Sequence, residues 1–227
     1  MMMDRRRFIA SSTALLPLST CAGRAMAADA EHSALPVPAS NRLSFAVFRN
    51  GTRIGTQTLR FTNTGANLRV DNQVGLQVKL LDVVVFNYQA AITEHWAHGA
   101  FASAHSTINA NGTLHRVQVE RRSGAVAISG NRIKSYTAPA NALPLTYWNK
   151  ALLQGPMINM QTGKTDHPTI NDLGWFALPT LPSGTVRAQA YKLSGSLHLT
   201  IYYDQNNRWQ GLAFDHSGHI TYEPILS

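Results

Sequence analysis

The chain has 227 residues, 20 Lys and Arg against 12 Asp and Glu for a formal charge of +8, nine His and one Cys. A lone cysteine excludes a disulfide framework within one copy and any sulfur-rich metal site. The basic residues are spread along the chain instead of clustered, which excludes a nucleic-acid footprint and predicts no nucleic-acid partner.

The N-terminus reads as an address. Asp4-Arg5-Arg6-Arg7-Phe8-Ile9 resembles a twin-arginine export signal, and the apolar stretch Ile9 to Leu18 is too short to span a bilayer, which takes about 20 residues. Ala25-Met26-Ala27 is an A-x-A cleavage signal. Together they predict a signal peptide over residues 1–27, handling by the twin-arginine translocase and signal peptidase, and a periplasmic mature protein. Leu18-Ser19-Thr20-Cys21 supports a second reading, lipidation at Cys21, although Thr20 stands where a lipoprotein box has Gly or Ala. If the A-x-A site is used, the mature chain has no cysteine, and removal of the leader's net +3 leaves +5. Such a mild positive surface suits anionic lipid.

Residues 28–42, rich in Ala, Ser and Pro, read as a flexible tether ahead of one domain over 43–227. Leu43, Phe45 and Val47 alternate up to Asn50-Gly51, a two-residue hairpin signal, and Thr52 to Thr62 returns toward Gly65. From Leu68 to Leu80 apolar residues occupy every even position except Asn72, about 13 residues or roughly 43 Å of half-buried strand. Strands of that length belong to sheets that coil or close. Leu81-Asp82 contains neither Gly nor Pro, so the sequence leaves open a hairpin or a bend in one ribbon. Beyond it Val84, Phe86, Tyr88, Ala90, Ile92, Glu94 and Trp96 share a face, and Glu94 alone breaks its apolar pattern.

Further strands follow over Phe101–Asn109, Thr113–Arg122 and Ala125–Ser129, punctuated by Asn111-Gly112 and Ser123-Gly124. This spacing argues for an antiparallel meander. The run Tyr147 to Gln154 reads as one short helix capped by Thr146 and stopped by Gly155-Pro156, held by packing because it is too short to stand alone. Met157 to Pro182 reads as irregular, and alternation resumes from Val186, with turns at Asn206-Asn207 and Ser217-Gly218. The expected fold is a single all-β domain, a long-stranded antiparallel roll or half-open barrel with one short helix against it.

Phe48-Arg49-Asn50-Gly51-Thr52-Arg53-Ile54-Gly55, Glu94-x-Trp96, Tyr147-Trp148-Asn149, and Leu193-x-Gly195-x-Leu197 leading to Tyr203-Asp204 resemble a family of exported bacterial proteins labelled only as a domain of unknown function. The resemblance covers Leu43 to the C-terminus. The chain is also distantly similar to a neighbouring exported family that forms a spiral antiparallel β-roll. The resemblance implies that fold and supplies no activity.

His95 and His98, three apart on a strand, fall on opposite faces and cannot chelate together. Asp215-His216-Ser217-Gly218-His219 is explained by its own turn chemistry. No nucleophile elbow, zinc-protease helix or phosphate loop occurs, so the sequence predicts no catalytic residue, metal or cofactor. Phe86, Tyr88, Trp96, Tyr147 and Trp148 are ordinary core material except that a carboxylate lies among them. Glu94 on an apolar face must be paired, protonated or wet. The candidate ligand-binding set is therefore Glu94, Trp96, Phe86, Tyr88, Tyr147, Trp148 and Asn149. The leading expectation is a non-enzymatic binding or envelope-associated protein holding an apolar or amphipathic molecule in its rolled sheet. Two alternatives stand beside it: a cofactor-free hydrolase or isomerase using Glu94 with a histidine, and a structural partner of the envelope, marked by a solid core and an exposed apolar patch.

Overall fold

The computed structural model describes residues 35–81 and 83–226. The leader, its cleavage signal and Cys21 lie outside them. Of the expected tether, residues 35–41 are described. Leu35 and Val37 pack against the core and Pro38 is buried, so this end of it is docked on the domain.

Each strand forms where the alternation or a turn residue dictates it. β1 (Arg42–Arg49) and β2 (Thr52–Thr64) are joined by Asn50-Gly51, both at positive φ, 49° and 78°. β3 (Asn67–Leu80) and β4 (Val83–Ala97) run antiparallel from Asn67 opposite Ala97 to Leu80 opposite Val83, so the reversal at Leu81 is a hairpin. Leu81 takes the left-handed conformation, φ 48°, that Gly or Asn usually supplies. β5 (Ala100–Ala110), β6 (Thr113–Arg122), β7 (Ala125–Gly130) and β8 (Ile133–Pro139) continue the meander.

A strap of irregular chain follows, holding β9 (Leu143–Pro144), a 3₁₀ turn over Lys150–Gln154, β10 (Met157–Ile158) and β11 (Thr165–Asp166), with the three short strands paired as a small patch. The expected helix over Tyr147–Gln154 is thereby corrected. It is a 3₁₀ turn that begins at Lys150, and its cap is Asn149, whose Oδ1 accepts from the Ala151 N–H at 3.0 Å. Tyr147 sits at φ 71°, which turns the backbone out of any helix one residue before Trp148.

β12 (Thr169–Pro179), β13 (Thr185–Ser194), β14 (Leu199–Tyr203), β15 (Trp209–Asp215) and β16 (His219–Pro224) complete the chain. β12 occupies a stretch expected to be irregular. It is an edge strand, largely exposed and broken by a bulge between Asp172 and Gly174, so no face is buried strongly enough to print alternation on the sequence.

All thirteen long strands form one antiparallel sheet in the order β12-β13-β14-β15-β16-β1-β2-β3-β4-β5-β6-β7-β8. β16 pairs with β1, Phe45 opposite Pro224 through Arg49 opposite Ile220, so the last and first strands meet mid-sheet. The two edges, β8 and β12, come from the middle of the sequence, and the strap connects them. The sheet rolls around that strap. Trp148, Leu152, Met157, Ile158 and Met160 from the strap share one buried cluster with Phe45, Leu59, Val70 and Ile92 from one half of the sheet and Ile201, Tyr203 and Trp209 from the other. The architecture is all-β as expected, with no α-helix among the described residues.

Candidate functional site: two ends of one sheet face

The inward residues of β4 form a ladder against β3. Trp96 faces Leu68, Glu94 faces Val70, Ile92 faces Asn72, Ala90 faces Val74, Tyr88 faces Leu76 and Phe86 faces Val78. The strap covers one end of this ladder and leaves the other half open.

At the covered end Glu94 is 1% exposed. The Trp96 Nε1–H donates to its Oε2 at 3.0 Å, and the Trp148 Nε1–H donates to Oε1 at 3.1 Å and Oε2 at 3.2 Å. Both indoles are themselves locked, packing edge to face on each other at 5.3 Å, with Phe61 against Trp148 at 5.3 Å and Phe101 against Trp96 at 5.5 Å. Burial raises the Glu94 pKa to about 6, and the Thr146, Trp96 and Trp148 donors keep it from rising further. The carboxylate is therefore held by indoles. Neither an arginine nor a histidine is among its hydrogen-bond partners in the described residues. One step along, the buried amides of Gln57 and Asn72 satisfy each other at 2.9 Å. No buried polar side-chain atom among the described residues lacks a partner.

At the open end the pairing brings distant strands into one row. Tyr88 of β4 faces Leu76 of β3, Leu76 faces Gly55 of β2, Gly55 faces Val47 of β1, and Val47 faces Tyr222 of β16. Gly55 is required there, because a Cβ on it would stand 1.9 Å from the Gly75 carbonyl oxygen. The strap adds Tyr147, packed at a tilt against Trp209 at 5.4 Å and fixed by the Tyr203 hydroxyl, which donates to the Tyr147 carbonyl oxygen at 2.7 Å. Trp209 also packs on Tyr222 at 6.3 Å, and Phe86 stacks parallel to Tyr88 at 6.4 Å.

Tyr88, Tyr147 and Tyr222 are half-buried, and none of their hydroxyls has a hydrogen-bond partner among the described residues. No unpartnered side-chain polar atom is fully buried among the described residues, so each hydroxyl keeps some access to solvent. Burial pushes the Tyr88 phenol up to about 12. Burial first, then their tyrosine neighbours, drive Tyr147 and Tyr222 higher still, so all three are neutral donors at physiological pH.

The candidate set thus divides. Glu94, Trp96 and Trp148 come together in a closed cluster, and Phe86, Tyr88 and Tyr147 line the open end. Asn149 joins neither, since it caps the 3₁₀ turn and bridges to Arg208. Tyr222, Tyr203, Trp209 and Thr146 are not in the ligand-binding set expected from the sequence, which reads Thr146 only as a helix cap and Tyr203 only as part of a family motif. Tyr222 alternates with Ile220, but nothing local announces that β16 will lie beside β1. His95 is exposed on β4, His98 occupies a turn at φ 49°, and His219 Nδ1 pairs with Asp215 Oδ1 at 2.9 Å on the surface. No three His, Cys, Asp or Glu side chains converge among the described residues.

Sheet order, register and strap define an all-β protein built on a rolled antiparallel sheet. The chain belongs to the family described as Domain of unknown function (DUF6134), which matches residues 45–225. Among solved structures it is similar to the crystal structure of a β-barrel-like protein of domain of unknown function DUF1849 from Brucella abortus. That likeness has a TM-score of 0.54 over 81% of this chain and 95% of that one, at 8% sequence identity, and speaks to the fold alone. No curated protein matches the sequence.

Proposed function

We propose that this chain is an exported, non-enzymatic binding protein that holds an apolar or amphipathic molecule at the open end of its rolled sheet, against Phe86, Tyr88, Tyr147 and Tyr222. The observation that carries this reading is three neighbouring phenols, within electrostatic reach of one another and without protein hydrogen-bond partners among the described residues, beside the rings of Phe86 and Trp209. Ligand sites combine an apolar lining with a few such polar groups. Glu94 contributes from behind: it anchors the Trp148 indole, and Trp148 is the residue next to Tyr147. Export by the twin-arginine route to the periplasm rests on Arg5 to Ile9 and Ala25-Met26-Ala27.

The hydrolase or isomerase reading needs a carboxylate that reaches its substrate. Glu94, 1% exposed and engaged by two indoles, offers it no support.

The test is fluorescence titration of the purified protein with 1-anilinonaphthalene-8-sulfonate, beside native mass spectrometry of protein taken from its host. Saturable probe uptake, weakened about thirtyfold when both Tyr88 and Tyr222 become Phe, is the expected result, since two lost hydrogen bonds are worth about 1 kcal/mol each. Absence of saturable uptake together with no co-purifying molecule would overturn the reading.

A further inference from the structure

The β3–β4 hairpin outruns the sheet that carries it. Pairing of β3 with β2 stops at Leu76 opposite Gly55, and pairing of β4 with β5 begins at Tyr88 opposite Ala110. The last outside tie is at Asn87, whose carbonyl oxygen accepts from the Asn111 N–H at 2.9 Å. Between these limits the ribbon pairs only with itself: Val78 with Phe86, Lys79 with Val84, Leu80 with Val83. Apart from Lys79 and the half-buried Val78 and Phe86, its described side chains are apolar and exposed. Leu80 is 64% exposed, Leu81 91%, Val83 64%, Val84 45% and Val85 52%. Consecutive exposed valines cannot all lie on one face of a strand, so both faces of the ribbon are greasy. A soluble surface avoids such a run unless it is used.

The neck of the ribbon has a different chemistry. Exposed Lys79 and Arg53 stand there, and neither pairs with an acid among the described residues. Phe86 and Tyr88 follow, stacked on each other, and Tyr88 is the amphipathic ring that suits a membrane–water boundary. An apolar tip, then cations and aromatic rings, repeats the order of layers met on entering an anionic lipid surface.

We propose that the ribbon over residues 78–86 is a membrane-surface anchor whose tip enters the headgroup–acyl boundary of an anionic bilayer, with Lys79 and Arg53 against lipid phosphates. A flat protein partner would cover one face of the ribbon and leave the other in water. Lipid surrounds both. Asp82 belongs to the same stretch of sequence and lies outside the described residues. The anchor does not depend on a molecule in the cleft.

The experiment is co-sedimentation of the protein, as recovered from exporting cells, with vesicles of phosphatidylcholine and phosphatidylglycerol at about 7:3, and with pure phosphatidylcholine. The key variant replaces Val83, Val84 and Val85 by Thr, which keeps strand propensity and removes only exposed apolar surface. We expect it to fold normally by circular dichroism and to bind mixed vesicles at least about tenfold more weakly. A second variant, Arg53→Gln with Lys79→Gln, loses the preference for anionic vesicles and its salt sensitivity while the ribbon stays apolar. Tyr147→Phe with Tyr222→Phe leaves vesicle binding unchanged, so failure of the cleft and failure of the anchor are distinguishable. Equal vesicle binding by the triple-Thr variant and the unaltered protein overturns the proposal. So does a dimer in solution that the triple-Thr change dissolves, which would make the ribbon a docking surface between copies.

Discussion

β3 and β4 carry one alternating pattern from end to end, yet their two ends live in different surroundings. Around Glu94 the face is sealed by Trp148 from the strap, and no buried polar side-chain atom among the described residues lacks a partner. Around Tyr88 the strap contributes Tyr147, with Asp166 near enough to act on it, and beyond Phe86 the ribbon pairs only with itself. The same local chemistry thus yields core, wall and protrusion. What differs is which distant segment lies over each rung, and that decides where a molecule or a membrane can reach.

Breaking the sealed end should have the largest consequence. Trp148→Ala removes a fully buried indole, the main lid over Glu94 and a packing partner of Trp96 and Phe61. We expect a loss of about 3–5 kcal/mol in chemical denaturation. A loss within about 0.5 kcal/mol, the range of surface substitutions, would mean that this end is not sealed.

Gly55→Ala attacks the row that joins Tyr88 to Tyr222. The added Cβ would stand 1.9 Å from the Gly75 carbonyl oxygen, so β2 and β3 must part locally. A cost near the upper end of about 1–3 kcal/mol is expected, with weaker probe uptake at the open end. Unchanged stability would show that Gly55 does not pin the two strands together.

Glu94 makes the comparison sensitive to pH. Its folded pKa, about 6, lies above the ordinary 4.5, so the folded state holds the proton more tightly than the unfolded chain does. That contribution to stability is complete below about 4.5 and is lost as pH rises through about 6, in total about 2 kcal/mol. Asp166 and Glu223, also raised by burial, act in the same direction. The informative quantity is therefore the difference between the native protein and Glu94→Gln, which should lack this share of the slope. Parallel stability curves from pH 4 to 7 would remove the buried, indole-held carboxylate from the account.

The smallest effect belongs to the protruding end. Val84→Thr alone should shift stability by no more than about 0.5 kcal/mol, because the side chain is 45% exposed on a rung that pairs only with Lys79 of its own ribbon. A larger loss would reveal that the ribbon folds back on the domain.

Period-2 alternation and Asn-Gly turns were enough to establish the all-β class, most hairpins and the inward face of β4, because backbone pleat and left-handed turns are local properties written residue by residue. The same pattern exposed Glu94 as the anomaly. The sequence missed β12, whose wet edge and bulge leave no period, and it overextended the helix, since Tyr147 takes its left-handed conformation where the strap packs against the sheet. It also could not say what covers each rung. Trp148 meets Glu94 from 54 residues away, and Tyr222 reaches the row of Tyr88 only because β16 closes onto β1. Long-range pairing and packing made those choices: the alternation marks which side chains must leave water, and only the rolled sheet and its strap determine what receives them.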